Sequence, residues 1–266
     1  MRTKGAPVAL LLAAFLSGCA GDSVLPVGEL TADAGGTAAA YPPADGAAPR
    51  MAGGAFNPFA EQPAVPPEGR EVIENPTIAD VMQAGTLPEM AWGRADAPVT
   101  IVQYASLTCP YCRRFHRQTF AELKRAYIDT GKVRYILREF PIGKTSGAAT
   151  IALRCADPRK YLELYGKFLE QQPSWVSQEV RLDPIFKVAS QVGMTRQQFD
   201  ACRENQSMID GLKWVKERGR QLGVVGTPNF FIEGTLVKKV LTMEEIRAMV
   251  EPLIEAHATA SAGAPR

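Results

Sequence analysis

The chain has 266 residues, 46% of them apolar, so its length admits one or two domains and its composition can fill a substantial core. Its 30 Lys and Arg against 28 Asp and Glu leave a net charge of only +2. With no basic block, no Gly-rich phosphate loop and no stripe of interleaved aromatic and basic residues, nucleic acid and nucleotide partners are not indicated.

Residues 1–18 have the make-up of an export signal peptide: Arg2 and Lys4 supply charge, and Ala6 to Leu16 is apolar. The run is too short to span a bilayer comfortably. Its end, Leu16-Ser17-Gly18-Cys19, resembles the lipobox of bacterial lipoproteins, which implies cleavage before Cys19 and lipidation of that residue. An ordinary cleaved signal peptide is the alternative. From Ala20 to Arg70 there are 13 Ala, 8 Gly and 8 Pro and no Lys. Such a stretch has no apolar period to bury, so residues 19–76 read as a disordered tether holding the folded part off a membrane. The folded domain is expected at 77–256, followed by a disordered tail at 257–266.

Within the domain, Thr77 to Met82 suggests a short helix, and Glu89 to Gly93 an edge strand. Val99 to Ala105 has the β-branched and aromatic content of a buried strand. Cys109-Pro110-Tyr111-Cys112 follows at once and opens an amphipathic helix. Pro110 suits a first helical position, where its missing N–H has no intrahelical acceptor to lose. A Cys at a helix start faces unpaired N–H groups and the positive end of the macrodipole, which favour thiolate. Cys109 is therefore the candidate nucleophile. Cys112 falls on one arc with Phe115, His116, Thr119, Phe120 and Leu123, while Arg113, Arg114 and Arg117 fall opposite. One sulfur should be exposed and the other shielded, with His116 a packed, hydrogen-bonded residue of the core face.

Val133 to Phe140 reads as a second strand, and strand, helix, strand with a right-handed crossover implies parallel pairing. Helices then follow: one capped by Thr145 and ending at Cys155, one from Arg159 to Gln171, one capped by Asp183, one opened by the Thr195–Gln198 capping box and carrying Cys202, and one from Met208 to Leu222 with a tolerated Gly219. Strands resume afterwards, so about 144–223 reads as a helical insertion in an α/β layer. Gly226-Thr227-Pro228-Asn229 leads into a hairpin turning at Glu233-Gly234, and Met243 to Glu255 forms a closing amphipathic helix.

Five cysteines are an odd number for an exported chain. Lipidation of Cys19 leaves the Cys109/Cys112 pair and the distant Cys155 and Cys202. In an oxidising compartment the latter two are expected to form a structural disulfide, at buried helix positions slow to react, with a second redox pair as the alternative. Zinc wants four ligands and usually a second closely spaced pair, which is absent, so no metal is expected, nor any cofactor.

Strand, Cys-Pro-Tyr-Cys at a helix start, strand, helical insertion, Thr227-Pro228, hairpin and helix together resemble the thioredoxin fold with an inserted helical domain, as found in the DsbA family of exported thiol-disulfide oxidoreductases. The resemblance covers about Ala91 to Glu255. It implies that Cys109 attacks, that Cys112 resolves the mixed disulfide, that Pro228 is cis beside the pair, and that Thr227 offers main-chain groups to a substrate. Pro110 and Tyr111 then support the active site. The implied substrates are unfolded or reduced exported proteins, and a membrane redox partner would reoxidise the site. The implied location is the bacterial periplasm, with the chain anchored to the membrane as a lipoprotein. Two residues depart from the pattern. DsbA itself has Cys-Pro-His-Cys, and Tyr111 cannot add an imidazole to the thiolate, which points to a milder oxidant. Gln103 stands where the family has a buried acid; Glu139 is a candidate substitute, read here rather as a solvated strand-end charge. Two other functions fit the same motif: a disulfide reductase or isomerase, and a non-catalytic thioredoxin-like lipoprotein holding a client or copper by its thiols.

Overall fold

The computed structural model describes residues 72–262. The signal segment 1–18, Cys19, the tether as far as residue 71 and the last four positions lie outside the described residues. The chain opens with α1 (Ile78–Met82), held by a reciprocal capping box between Thr77 and Asp80. The strands are β1 (Met90–Trp92), β2 (Val99–Ala105), β3 (Val133–Glu139), β4 (Asn229–Ile232) and β5 (Thr235–Val237). They form one sheet in the order β1-β3-β2-β4-β5. β2 and β3 run parallel, with Val99 opposite Val133 and Ala105 opposite Glu139, and the other neighbours are antiparallel.

Alternation along β2 explains the two cores. Val99 and Ile101 enter one apolar cluster with Leu123, Tyr127 and Phe230, while Val102 and Tyr104 enter another with Ile136, Phe140 and Phe231. The second cluster is closed by Val81 and Val215. Both faces of the sheet are thus covered, which is why β2 and β3 read as nearly continuous apolar runs. β2 lies in the centre, so whatever follows its C-terminal end emerges above the middle of the sheet.

The β2–β3 crossover is α2 (Pro110–Phe115), a π-helical turn at His116–Phe120, α3 (Ala121–Leu123) and a second π-helical turn at Lys124–Ile128. The sequence suggests one regular helix here. The wide turns are invisible to a 3.6-residue period because each shifts the buried face by only a fraction of a turn.

Between β3 and β4 lie α4 (Gly143–Cys155), a 3-10 turn (Pro158–Lys160), α5 (Tyr161–Glu170), α6 (Gln172–Trp175), α7 (Leu182–Ala189), a 3-10 turn (Ser190–Val192), α8 (Arg196–Cys202) and α9 (Gln206–Gln221). Thr195 and Gln198 form the expected capping box. Thr145 is not a cap: it lies inside α4, and its hydroxyl donates to the Ser177 carbonyl at 2.8 Å. Asp183 is also not a cap. It sits in the first turn of α7, where a carboxylate is favoured by the helix dipole, and pairs with Arg196 at 2.6 Å. α9 starts two residues before Met208 because Asn205, not Met208, marks its entry: the Asn205 side chain accepts the Met208 N–H at 3.0 Å. Gly219 is more than tolerated, since a Cβ there would lie 2.7 Å from Cε1 of the fully buried Tyr104.

The final helix, α10, runs from Met243 to Ala262. The tail expected to be disordered from residue 257 is thus helical through Ala262, because Ala, the best helix former, stands at every second position from Ala256 to Ala262 and propagates a helix already nucleated. Among the described residues no helix is long and apolar enough to cross a membrane.

Candidate active site

Cys109 is the N-cap of α2, with an extended backbone (φ −77°, ψ 120°), and its sulfur accepts the Cys112 N–H at 3.4 Å. Pro110 occupies the first helical position. The Cys109 thiol donates to the Thr227 carbonyl at 3.0 Å, and the Thr227–Pro228 peptide is cis. Helix start and loop before β4 therefore meet at one sulfur, although they lie far apart in the chain. Both thiols are free.

Burial differs from the expectation in degree. Cys112 is fully buried as its arc requires, but Cys109 is itself only 9% exposed, because the Thr227 segment covers it. The exposed members of the motif are Pro110 and Tyr111, the latter at 55%, with the Arg114 guanidinium 5.2 Å from its ring centre. A cleft of about 410 Å³ opens beside the pair, lined by Tyr111, Arg114, Val225, Thr227, Pro228 and Lys238.

The sulfurs differ in acidity. Cys109 is lowered from 9.0 to about 6, foremost by hydrogen bonding from the Cys112 side chain, against the opposing effect of burial, with Thr227 and the helix-start N–H groups of Cys112 and Tyr111 adding to it. Cys112 is raised well above 9.0, chiefly by burial and then by its bonding and charge interaction with Cys109. At neutral pH the arrangement is one thiolate beside one thiol, the distribution a directional thiol exchange requires.

The remaining site residues are placed as follows. Gln103 is buried, its Oε1 accepting the Tyr135 hydroxyl and its Nε2 lacking a partner. Glu139 is not a solvated strand-end charge. It is 4% exposed, accepts the Tyr161 hydroxyl at 2.6 Å and is bonded by Arg154 Nη2 at 3.0 Å. The helical insertion covers the end of β3 and supplies both partners, so the charge is compensated where it is buried. His116 packs between Phe120 and Tyr165, but its Nδ1 is buried without a hydrogen-bond partner, contrary to the expectation of a hydrogen-bonded residue.

Cys155 and Cys202 are joined as a disulfide with Cα atoms 6.1 Å apart, tying the end of α4 to the end of α8. Both are half-buried rather than fully buried. Two supporting contacts escaped the sequence reading. Gln172 reaches in from the insertion and its Nε2 donates to the carbonyls of Leu107 at 2.7 Å and Cys109 at 3.0 Å. The Ser106 and Ser146 hydroxyls bond at 2.8 Å and lock the strand end to α4. Neither carries a local signal, since each acts on the motif only through tertiary packing. Among the described residues no group of three or more His, Cys, Asp or Glu is placed to hold a metal ion.

Comparison with known proteins is consistent with this geometry. A Rickettsia bellii protein named "Putative protein-disulfide oxidoreductase" is 28% identical over 172 residues, which are 63% of this chain and 65% of that protein, slightly less than two thirds of its length. Disulfide bond formation protein D of Bacillus subtilis is 23% identical over 166 residues, covering 60% of this chain and 74% of that one. The crystal structure of alpha-DsbA1 from Wolbachia pipientis superposes with a TM-score of 0.63 at 23% identity, covering 68% of this chain and 98% of that chain, a likeness of fold. The family model described as Thioredoxin matches residues 86–252, more than half of the sequence, and the chain belongs to the thioredoxin family.

Proposed function

We propose that the chain is an exported thiol:disulfide oxidoreductase that introduces disulfides into secreted proteins through Cys109 and Cys112. In the oxidised form a substrate thiolate attacks the Cys109 sulfur and Cys112 leaves as a thiolate that takes up a proton. A second substrate thiolate then attacks the substrate sulfur of the mixed disulfide, and Cys109 leaves as a thiolate. Two substrate thiols lose two electrons and become a disulfide, and the pair gains them. A membrane redox partner returns the pair to the oxidised state.

The observation that carries this reading is the acidity of Cys109, about 6 beside a Cys112 held well above 9.0. A low-pKa thiol leaves readily and stabilises the reduced pair, and both properties favour oxidation of the substrate. The cleft lined by Tyr111, Thr227 and Pro228, the neighbours of the pair, gives an extended substrate segment room there. Relatives named for disulfide bond formation agree with that direction. The signal segment 1–18, lipidation at Cys19, the tether 19–76 and a periplasmic, membrane-anchored location belong to the same proposal, because such a substrate class exists only outside the cytoplasm. The Cys155–Cys202 bridge is assigned a structural role.

Cys112→Ala tests the reading. It should accumulate mixed disulfides with exported proteins through Cys109, formed when a reduced client's thiolate displaces glutathione from Cys109 previously loaded with glutathione disulfide, visible on non-reducing gels and absent after Cys109→Ala. Failure to trap any client would sink the proposal.

A further inference from the structure

Reoxidation of the pair requires the Cys112 proton to leave a fully buried thiol. The buried polar side chains of the central strands offer no ready base. Gln103 and Tyr135 are bonded to each other, and the Glu139 carboxylate is held by Tyr161 and Arg154.

His116 is placed differently. Its backbone N–H donates to the Cys112 carbonyl, so it sits one turn above Cys112 on the same helix face. Helical side chains lean toward the N-terminus and cover the preceding turn, which here is the turn of Cys112. The imidazole is fixed on both sides, stacked on Phe120 at 5.4 Å and edge-on to Tyr165 at 5.6 Å. α5 makes room for it, since a Cβ on Gly166 would lie 3.0 Å from Nε2. Yet Nδ1 is buried with no hydrogen-bond partner, and Tyr165, whose ring packs edge-on to the imidazole, has a hydroxyl that is buried and unpartnered as well. Two orphaned polar groups on neighbouring rings, one of them a turn away from a buried thiol, are expensive as packing alone.

We infer that His116 is the proton carrier of Cys112: its imidazole takes the thiol proton as Cys112 attacks the mixed disulfide at Cys109, and returns it in the reverse step. The inference rests on the oxidoreductase reading. In the forward step the Cys112 S–H bond breaks and its proton goes to His116. The new thiolate forms the Cys109–Cys112 bond, and the partner's sulfur leaves as a thiolate, carrying the electron pair and taking a proton from water. The charged group that acts on the imidazole is Glu170 from α5; the titratable groups around it are Tyr165 from α5, whose ring packs on it, Cys112 one turn back on its own helix, and Tyr135 from β3 behind Phe120. Burial holds His116 below its ordinary 6.5 despite Glu170, so it is neutral and able to accept at pH 7. Transfer becomes easier once Cys109 is in a mixed disulfide. The Cys109 charge and hydrogen bond that help to raise Cys112 are then gone.

The test mixes fully reduced full-length protein rapidly with glutathione disulfide and quenches with acid. Mass spectrometry separates formation of the Cys109–glutathione adduct from its resolution by Cys112. In the wild type, resolution should be nearly independent of pH above 6.5. His116→Phe should slow resolution relative to adduct formation by about 100-fold at pH 7 and make it rise about tenfold per pH unit, as hydroxide replaces the internal base. His116→Glu should restore part of the rate and the flat profile. If His116→Phe does not fold, His116→Gln is read alone with the same expectation. Resolution that keeps its wild-type rate, or that slows without any change of pH profile, overturns the inference and leaves His116 a packing role. Recovery of neither the adduct nor the Cys109–Cys112 disulfide in the wild type would instead overturn the oxidoreductase reading itself.

Discussion

The groups that favour a thiolate at Cys109 are the Cys112 side chain first, then the Thr227 side chain and the N–H groups of its own helix start, whereas the Thr227 carbonyl accepts from the neutral thiol. Because the folded pKa is depressed from 9.0 to about 6, the reduced protein gains stability that is fully present above the unfolded value and is lost as pH falls through about 6. Alkylation of the reduced protein should therefore follow a single titration with a midpoint of about 6, reporting Cys109, with Cys112 unreactive until the chain unfolds. A midpoint near 9 would mean that the helix start and Thr227 do not act on the sulfur. This part of the site was legible in the sequence because it is local: a Cys before Pro at a helix start, and a second Cys on the apolar arc. The covering of Cys109, the pairing of Glu139 and the open valence of His116 were not legible, since each depends on residues from the insertion or the β4 loop.

At the scale of elements, strands were read closely because burial on both faces leaves an unbroken β-branched and aromatic signature in β2 and β3. Helix ends were read less well. Thr145 and Asp183 both have the chemistry of caps, but the first bonds into the core and the second sits one step inside its helix. Composition alone cannot separate a cap from a first-turn residue. Gly219 shows the same limit. In an exposed helix Gly→Ala would add roughly 1 kcal/mol of stability, yet α9 packs so closely on Tyr104 and Phe140 that the added methyl meets rings unable to move. Gly219→Ala should destabilise the protein by about 1–3 kcal/mol in denaturant titrations. A gain in stability would show that α9 can retreat from the sheet.

At the scale of the molecule, the thioredoxin sheet and crossover present the thiol pair, and the insertion supports it from behind through Gln172, Ser146 and the partners of Glu139. The Cys155–Cys202 bridge lies within that insertion, so removing it should loosen the support without altering the exchange chemistry. Cys155→Ser/Cys202→Ser should lose up to ~4 kcal/mol of stability, the chain-entropy value for a loop of this length, while the potential of the Cys109/Cys112 pair stays as in the wild type. A changed potential would make the bridge part of the redox system. Chain order alone allowed the architecture to be read, because strand, redox motif, helix, strand, insertion and Thr227-Pro228 hairpin come in one order that few folds share.

The central claim is that this pair oxidises its substrates, and the measurement closest to it is the reduction potential of Cys109/Cys112 against a glutathione or dithiothreitol buffer. Thioredoxin lies at about −270 mV and DsbA at about −120 mV. A thiolate of pKa about 6, without an imidazole in the position of Tyr111, predicts a value between them. A potential at or below that of thioredoxin would contradict the account and make the protein a reductase.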